Sequence, residues 1–376
     1  MRIAVNTRLL LKNKLEGIGW YTLETLSRIV KSHPEHEFYF LFDRPYSQEF
    51  IFAENVHPIV INPPTRHPIL WYLWFEHRIP RVLKKLEADL FLSPDGFLSL
   101  SNNTPSIAVI HDINFKHHPK DLKYLHRIFY NYFFKKYAQK ADRIVTVSDF
   151  SKSDICQSYQ IDPSKIDVTL NGVNNNFHPI GLDQQIVVRK KYSEGKDYFL
   201  FVGALHPRKN ISRLLQAFDE FKRNTKSSNK LLIVGAKMWW NKTLQTSFEE
   251  MKHKNDVIFT GRKSPEELNQ LYASALAFCF VPYFEGFGIP IVEAMKCACP
   301  VITSNITAMP EIAGDAALLV DPFDTNEITQ AMIKLNGNNE LRSELSARGQ
   351  MHAQHFNWNT TAQTLWESIE KVLTKC

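Results

Sequence analysis

Short apolar segments of strand length alternate with helix-like segments through both halves of the chain, and no other feature of the sequence constrains the fold as strongly. This alternation predicts parallel β-sheets covered by α-helices. The predicted strands are residues 3–5, 38–42, 90–92, 107–110 and 143–147 in the first half, and 198–202, 230–234, 257–260, 277–281 and 300–303 in the second. The sequence therefore predicts an α/β protein.

The alternation is interrupted near residue 180, where Phe177-His178-Pro179-Ile180-Gly181 precedes a predicted helix at 182–192. A chain of 376 residues is too long for one ordinary hydrophobic core and suits two domains. We therefore expect two Rossmann-like, doubly wound domains, residues 1–180 and 181–355, which would face each other across a cleft.

The composition indicates a globular protein, since 44% of the residues are hydrophobic and 22% are charged. No stretch of about 18 apolar residues is present, and the first residues enter a strand directly, so we expect a cytoplasmic protein that neither spans a membrane nor is secreted. The five cysteines include no CxxC pair and are interpreted as reduced thiols.

The net charge of +6 favours anionic partners. Nucleotides and phospholipid surfaces are both compatible with this charge. Nucleic acid is the least favoured partner, because no nucleic-acid-binding module is recognisable in the sequence.

Glu285 and Glu293 enclose the segment Gly286-Phe287-Gly288-Ile289-Pro290, directly after the predicted strand 277–281. The glycines permit positive φ and close approach of a ligand, and Pro290 suits the first turn of a helix. Free N–H groups and the positive end of that helix would stabilise a phosphate. The pattern therefore predicts a phosphate site with one carboxylate on a loop and one in the first turn of the helix.

The two carboxylates indicate a nucleotide sugar as the ligand, because an ionised glutamate only accepts hydrogen bonds and sugar hydroxyls donate them. Glu293 would accept from the ribose diol, and Glu285 would face the sugar or the charge that develops at its anomeric carbon. The alternative is structural: Glu293 would complement the helix dipole and Glu285 would be a solvated loop residue.

Arg208 and Lys209 lie in the segment 203–210, which follows the predicted strand 198–202. The two cations would neutralise a diphosphate, arginine by a bidentate contact and lysine as a point charge. Cations already in place there would lower the barrier for breaking a sugar–phosphate bond. Cations at a helix start otherwise oppose the helix dipole, which favours an anion at this position.

His111 follows the predicted strand 107–110 and is placed at the edge of the first sheet. A neutral imidazole offers one donor and one acceptor, which suits a sugar hydroxyl or an acceptor substrate. A purely structural role for His111 remains the alternative.

The chain resembles the retaining glycosyltransferases of the GT-B fold, in particular family 4, which includes many bacterial mannosyltransferases. The segments that carry the resemblance are Gly17-Ile18-Gly19-Trp20-Tyr21, His111-Asp112, Val147-Ser148-Asp149-Phe150-Ser151, Asn171-Gly172-Val173, residues 203–210, Glu285 to Glu293, and Pro310-Glu311-Ile312-Ala313-Gly314.

The resemblance implies a GT-B fold with an acceptor-side domain at 1–180 and a donor-binding domain at 181–355. It implies that the C-terminal helix at 356–376 crosses back onto the first domain, that Lys209 holds the donor diphosphate and that His111 contacts the donor sugar. Many relatives carry arginine where this chain has Ala204, so Arg208 would supply the second cation.

These arguments assign candidate site residues. The candidate catalytic residues are Glu285, His111 and Lys209, and the candidate donor-binding residues are Gly17, Gly19, Arg208, Lys209, Arg262, Gly286, Phe287, Gly288, Ile289 and Glu293. Gly17 and Gly19 would let a loop close over the diphosphate, and Arg262 would lie near the nucleobase or in an ordinary basic turn. No Asp-x-Asp motif or metal-spaced His/Cys cluster occurs in the sequence, so we expect no metal and no cofactor.

The favoured function is retaining transfer of a hexose to a glycan or lipid-linked acceptor. The segment Pro207-Arg208-Lys209-Asn210 resembles that of mannosyltransferases, which implies mannose from GDP-mannose as the donor. A sugar-nucleotide epimerase of the same fold and a non-catalytic glycan-binding protein remain alternatives. A nicotinamide-dependent dehydrogenase is a third, since Gly17-Ile18-Gly19 and Asp43 partly match a dinucleotide fingerprint. Thr22 replaces its third glycine, however, and ten residues separate the glycines from the first strand.

Two aromatic segments, residues 71–75 and 129–137, have basic neighbours such as Arg78 and Lys84. They would contact a bilayer or a lipid-linked acceptor, which makes peripheral membrane contact a candidate property. Core packing is the favoured interpretation, because apolar helical faces ordinarily form core.

Overall fold

The structure is a computed structural model that describes residues 1–236, 240 and 242–374. The chain forms two compact units, the first comprising Met1–Gly172 and Trp358–Cys376 and the second Val173–Asn357. The chain thus enters the second unit at residue 173, before the predicted boundary at 180. Gly172 remains with the first unit because it packs directly on Trp358, whose backbone nitrogen would overlap a Cβ placed on this glycine.

The first unit contains a seven-stranded parallel sheet with the order β3-β2-β1-β4-β5-β6-β7. The strands are β1 Arg2–Asn6, β2 Glu37–Phe42, β3 Val56–Val60, β4 Leu90–Ser93, β5 Ser106–Val109, β6 Arg143–Thr146 and β7 Ile166–Val168. The helices are α1 Gly17–Ser32, α2 Pro68–Leu73, α3 Ile79–Leu86, α4 Asn114–His117, α5 Tyr124–Lys140 and α6 Asp149–Tyr159. The central strand β4 is buried along its whole length, as expected for a parallel sheet covered on both faces.

The second unit contains a six-stranded sheet with the order β10-β9-β8-β11-β12-β13, also parallel throughout. The strands are β8 Tyr198–Val202, β9 Lys230–Val234, β10 Val257–Gly261, β11 Ala277–Phe280, β12 Val301–Ser304 and β13 Ala317–Val320. The helices are α7 Leu182–Ser193, α8 Ile211–Thr225, α9 Lys242–Glu249, α10 Pro265–Ser274, α11 Ile289–Lys296, α12 Met309–Ala313, α13 Thr325–Gly337 and α14 Asn339–His352.

The last helix, α15 Trp358–Leu373, belongs to the first unit and packs against α1. Leu365 and Ile369 of this helix are fully buried. The Thr361 hydroxyl also donates to the carbonyl of Leu170 at 2.6 Å. These contacts tie α15 to residues that precede 173.

The strands that the sequence pattern did not predict all lie at sheet edges, namely β3, β7 and β13. β3 contains Pro58, which cannot donate to a ladder and is tolerated at an edge. β7 has only three residues, and Leu319 of β13 is 41% exposed. Edge strands bury little, so their sequences lack the continuous apolar run that marks a central strand.

The two aromatic segments are partly core and partly surface. Trp71, Trp74, Phe129 and Phe134 are buried, which confirms core packing for this part of each segment. The other side of the same helices is exposed, with Tyr132 at 56%. In the described ranges, none of the helices has both the length and the apolar composition of a membrane span.

Candidate active site

The carboxyl ends of β8, β11 and β12 meet at one edge of the second sheet, because β11 pairs in parallel with both neighbours. Three loops leave this edge: residues 203–210 after β8, residues 281–288 after β11, and residues 305–308 after β12. Ligands of open α/β sheets bind at such an edge. The strongest candidates from the sequence lie in the first two of these loops.

Glu285 is buried, with 7% of its surface exposed, and two cations contact one of its carboxylate oxygens. Nη1 of Arg208 lies 2.7 Å from Oε1, and Nζ of Lys209 also pairs with Oε1. Burial alone would raise the pKa of Glu285, but the two cations outweigh it and hold the pKa below its ordinary value. Glu285 is therefore an ionised carboxylate at neutral pH, and the three charges sum to one positive charge.

The cations are held in place by the backbone of their own loop. Residues Pro207–Lys209 form a single 3₁₀ turn, and the Tyr283 N–H donates to the Arg208 carbonyl at 3.0 Å. The side-chain amide of Asn210, which is 3% exposed, donates to the Val281 carbonyl at 3.0 Å. The loop after β8 is thus fastened to the end of β11, which explains why Arg208 and Lys209 reach Glu285.

The turn Gly286-Phe287-Gly288 leads from Glu285 into α11, whose second residue is Pro290. Gly288 has a φ of +93°, and a Cβ there would lie 2.9 Å from Cε of Met309, so glycine is needed both for conformation and for space. Phe287 is buried. The strand, glycine turn and helix start predicted from the sequence are all confirmed, and Ile289 is the first residue of the helix.

Glu293 is the fifth residue of α11, one turn beyond the predicted position in the first turn, because the helix begins only at Ile289. It accepts a hydrogen bond of 2.9 Å from the hydroxyl of Tyr272 on α10. Burial raises the pKa of Glu293 to about 7, while the Tyr272 hydrogen bond acts in the opposite direction. Near neutral pH this group therefore exchanges between a carboxylic acid and a carboxylate. Sequence reasoning missed Tyr272, because the residue lies on another helix and shares no spacing pattern with Glu293.

His111 lies in the first unit, just after β5, with its Nε2 2.8 Å from the carbonyl oxygen of Pro94. A carbonyl only accepts, so Nε2 carries the hydrogen and Nδ1 of the neutral ring is an acceptor. The ring also packs edge-on against Tyr21, with centroids 4.9 Å apart. Burial lowers the pKa of His111, which keeps the ring neutral.

Gly17 and Gly19 do not form the predicted loop. They lie in the first turn of α1, which begins at Gly17 after the N-cap residue Glu16. A Cβ on Gly19 would lie 3.0 Å from the Leu9 carbonyl oxygen, so this glycine serves close packing. A Cβ on Gly17 would meet none of the described atoms within 4 Å. The two glycines therefore open a helix instead of forming a flexible cover.

Arg262 follows β10, at the edge of the second sheet, and its side chain is exposed. Strand β9 separates β10 from β8, whose following loop carries Arg208 and Lys209. The structure therefore brings Glu285, Arg208 and Lys209 together and places Arg262 two strands away from that loop.

Asp43, the acidic residue of the dehydrogenase alternative, is fully buried and already bonded. It accepts from the Thr65 N–H and hydroxyl, both at 2.6 Å, and from Arg44 at 2.6 Å. Asp43 is therefore a structural anchor for residue 65, which removes the acidic group that a ribose-binding fingerprint requires.

Across the described ranges, no group of three or more His, Cys, Asp or Glu side chains is arranged to hold a metal ion. Cys156, Cys279, Cys297 and Cys299 are free thiols. Cys376 lies outside the described residues.

Comparison with known proteins identifies the family. Residues 183–352 match the family model described as glycosyl transferases group 1, and residues 15–177 match the one described as Glycosyltransferase Family 4. The O-antigen chain mannosyltransferase B of Escherichia coli is 29% identical over 372 residues, covering 94% of this chain and 96% of that protein. The O-antigen chain mannosyltransferase RfbU of Salmonella typhimurium is 31% identical over 258 residues, covering 68% of each chain.

Among solved structures, the sucrose-phosphate synthase of Thermosynechococcus elongatus aligns over 100% of both chains with a TM-score of 0.79 and 16% identity. A likeness at this identity shows the fold, and the fold is the GT-B fold expected from the sequence. These comparisons agree on the family. The two family models together span most of the chain, one relative matches over nearly its whole length, and the fold is shared. The chain is a hexosyltransferase that belongs to family 4 of the GT-B glycosyltransferases.

Proposed function

We propose that this enzyme is a retaining, metal-independent mannosyltransferase that moves mannose from GDP-mannose to a glycan or lipid-linked acceptor. The two relatives described above are O-antigen chain mannosyltransferases, which supports both a mannosyl donor and a glycan acceptor. In this proposal the second unit binds the donor and the first unit binds the acceptor.

One observation carries the proposal: the buried Glu285 carboxylate shares Oε1 with Arg208 and Lys209. The three side chains together carry a net positive charge in a poorly solvated place, and Glu285 precedes the first residue of α11 by four positions. A diphosphate supplies the negative charge that such a place favours. On donor binding, the two cations would turn to the diphosphate and Glu285 would remain next to the sugar.

The proposed chemistry is substitution on the front face of the anomeric carbon. The bond between this carbon and the diphosphate oxygen breaks, and a new bond forms to the acceptor oxygen on the same face. The acceptor proton passes to the departing diphosphate oxygen. Arg208 and Lys209 stabilise the charge that develops on the leaving group, which is where fixed cations lower the barrier.

The other candidate residues take supporting roles in this proposal. Glu293, in its ionised form, accepts hydrogen bonds from the ribose diol. The backbone N–H groups of residues 286–289 bind phosphate oxygens. His111 offers its Nδ1 acceptor to a sugar hydroxyl, because Nε2–H is engaged by Pro94.

The decisive experiment measures mannosyl transfer by the purified enzyme to octyl α-mannoside, with GDP-mannose, UDP-glucose and UDP-galactose as donors. We expect GDP release with GDP-mannose that depends on the acceptor, and an α-linked product by NMR. Lys209→Met should lower kcat at saturating donor at least a hundredfold, whereas the exposed Lys252→Met should retain activity. Full turnover by Lys209→Met would refute the role of the cation cluster, and acceptor-independent conversion of the sugar would indicate an epimerase.

Metal independence is tested in the same assay. We expect activity in 5 mM EDTA to equal activity in 5 mM MgCl₂, since Arg208 and Lys209 provide the positive charge that a metal ion would supply. Loss of turnover in EDTA, with recovery on adding Mg²⁺ or Mn²⁺, would contradict this part of the proposal.

We also propose that the first unit binds an anionic lipid surface through an exposed apolar face. This face, the α2–α5 face, comprises Ile69, Tyr72, Leu73, Tyr124, Leu125, Ile128 and Tyr132, each at least 40% exposed. The two helices meet at the buried Trp71, whose ring contacts Phe129 at 5.2 Å. Large exposed apolar patches mark interaction sites rather than ordinary surface.

The charge around this face favours a membrane over a protein partner. Helix α5 carries Arg127, Lys135, Lys136 and Lys140 and has no acidic residue in its sequence. Nζ of Lys136 lies 3.6 Å from the Tyr132 ring centroid, so cation and aromatic group reach the same part of the surface. Aromatic and aliphatic side chains next to lysines are the combination that binds anionic bilayers at their interface.

Co-sedimentation with vesicles tests this surface. We expect binding to vesicles of phosphatidylcholine and phosphatidylglycerol at a 3:1 ratio, weaker binding in 0.5 M NaCl, and at least a tenfold loss on combining Leu125→Ser and Ile128→Ser. The matched control is the pair Ile186→Ser and Val187→Ser, which removes similarly exposed residues from α7. Vesicle binding by the Leu125→Ser/Ile128→Ser variant that equals wild type would overturn the proposed membrane contact. A concentration-dependent dimer of the wild type that this variant abolishes would overturn it as well.

A further inference from the structure

Thr307 has a backbone conformation that is unfavourable for its side chain. It follows β12 with a φ of +59°, in the left-handed region. Of the non-glycine residues with positive φ in the described part of the chain, it alone is β-branched. A β-branched residue in this region is a true outlier, and such outliers persist mainly at functional sites. Glycine would fit this position better if only the turn mattered.

The Thr307 hydroxyl is also unusual. Its Oγ1 is buried and, among the described residues, has no hydrogen-bond partner. Most buried polar atoms in native proteins are bonded, so an exception calls for an explanation such as a ligand. A hydroxyl both donates and accepts, which matches the hydroxyl groups of a sugar.

The loop that carries Thr307 packs on the Glu285 turn through its neighbours. The Ser304 hydroxyl donates to the Pro282 carbonyl at 2.5 Å, and the Ala308 N–H donates to the Glu285 carbonyl at 3.4 Å. Met309 fills the space beside Gly288 that a Cβ would occupy. Thr307 is therefore the residue before Ala308, whose N–H contacts the main-chain carbonyl of Glu285.

We propose that Thr307 determines donor specificity by forming a hydrogen bond between its hydroxyl and a hydroxyl of the transferred sugar. The inference rests on the proposed function and deepens it. The unfavourable φ is retained because the hydroxyl contributes to recognition of the donor, and the bound sugar provides the hydrogen-bond partner that the described residues do not.

Three substitutions separate the hydroxyl from the backbone effect. Thr307→Ser keeps the hydroxyl, Thr307→Val keeps the branched shape without it, and Thr307→Gly removes the hydroxyl and relieves the backbone. We expect Ser to retain kcat/KM for GDP-mannose within about threefold and both Val and Gly to lose about tenfold, as for one hydrogen bond to a sugar. The Thr307→Gly variant should melt at the wild-type temperature or higher, so that its loss of kcat/KM would not result from unfolding.

Selectivity gives a readout that a structural role would not change. The ratio of kcat/KM for GDP-mannose over its C2 epimer GDP-glucose should fall in the Val and Gly variants, while the Kd for GDP stays constant in all three. Thr243→Val, an exposed threonine on α9, is the matched control and should leave the ratio unchanged.

Each outcome is decisive. Equal kcat/KM and equal donor ratio in Thr307→Gly would refute the inference while the proposed function stands. A parallel loss of GDP affinity would assign the hydroxyl to phosphate or nucleoside instead of the sugar and overturn it. A wild-type enzyme that neither binds nor uses any nucleotide sugar would overturn the proposed function and this inference together.

Discussion

The hydroxyl of Tyr272 donates a 2.9 Å hydrogen bond to Oε2 of Glu293, and this bond partly offsets the burial that raises the pKa of Glu293 to about 7. The pKa lies above the ordinary value, so the associated contribution to folding stability is present below that ordinary value and is lost as the pH rises through about 7. A ligand that binds only the ionised form of Glu293 competes with protonation of this carboxylate.

Donor binding should therefore weaken in acid. We expect the Kd for GDP to rise as the pH falls below about 7, approaching tenfold per pH unit, because in the proposed function the ribose diol binds only the ionised Glu293. Calorimetric titration with GDP between pH 5.5 and 8.5 measures this. Glu293→Gln should bind weakly and without that pH dependence, and a wild-type Kd that is constant over the whole range would rule out the ribose assignment.

Removing the Tyr272 hydroxyl should shift that profile. In Tyr272→Phe the carboxylate loses its hydrogen bond, so the pKa of Glu293 rises further and the midpoint of the GDP-binding profile moves to higher pH by about half to one unit. At pH 8.5 the variant should approach wild-type affinity. A profile that moves to lower pH, or does not move, would show that the bond has no effect on this ionisation.

The ionisation of Glu285 should affect folding stability in the direction opposite to that of Glu293, so that stability falls as the pH is lowered. Its pKa is held below the ordinary value, so its stabilising contribution is present above that value and is lost as the pH falls through the lowered pKa. At pH 7, Glu285→Gln should cost about 2–3 kcal/mol of unfolding free energy, because it leaves Arg208 and Lys209 partly buried without their carboxylate.

Urea unfolding at pH 7 and at pH 3 tests this expectation. The difference in unfolding free energy between wild type and Glu285→Gln should be smaller at pH 3 than at pH 7. The substitution Glu250→Gln, at an exposed position, should leave the unfolding free energy unchanged at both pH values. A gap that widens in acid would contradict the charge arrangement seen around Glu285.

Gly288→Ala should impair donor binding and stability together. Alanine at a φ of +93° is strained, and its Cβ would lie 2.9 Å from Met309. We expect a loss of about 1–2 kcal/mol in unfolding free energy and a higher KM for the donor, since the turn also positions the first N–H groups of α11. Gly337→Ala, with open space around the glycine, should be neutral in both thermal melting and kinetics.

Gly172→Ala should destabilise the first unit without changing any residue of the proposed site. Its Cβ would overlap the backbone nitrogen of Trp358, so the start of α15 would have to move. We expect at least about 2 kcal/mol of destabilisation by thermal or urea unfolding. An unchanged melting temperature would mean that this contact adjusts freely.

The sequence predicted the central strands, and the loops that follow β8 and β11, well, because buried parallel strands are continuous apolar runs that glycine or proline ends. The sequence did not predict β3, β7 and β13, because these strands lie at sheet edges, are half exposed and lack a continuous apolar run. The prediction that the glycines at 17 and 19 form a loop was wrong for a related reason. Glycine marks space or flexibility, and only the surrounding packing, here the Leu9 carbonyl 3.0 Å away, distinguishes a helix start from a loop.

Pairwise contacts within the site were out of reach of the sequence. It identified Arg208, Lys209 and Glu285 separately and assigned the cations to phosphate and the carboxylate to sugar. The structure shows that both cations contact the carboxylate. Tyr272 and Thr307 had no sequence signal, since their significance lies in a hydrogen bond to another helix and in one backbone angle.

The division of the chain at residues 173 and 357 has a consequence for how this enzyme can be rearranged. The second unit is one uninterrupted stretch of polypeptide, and its ends are neighbours, with the Val173 N–H donating to the Phe356 carbonyl at 3.2 Å. Arg208, Glu285 and Thr307 all fall inside it. One continuous segment of the sequence therefore carries these three residues, so it could be exchanged between related enzymes in a single step to test whether it transfers donor preference while the first unit stays the same.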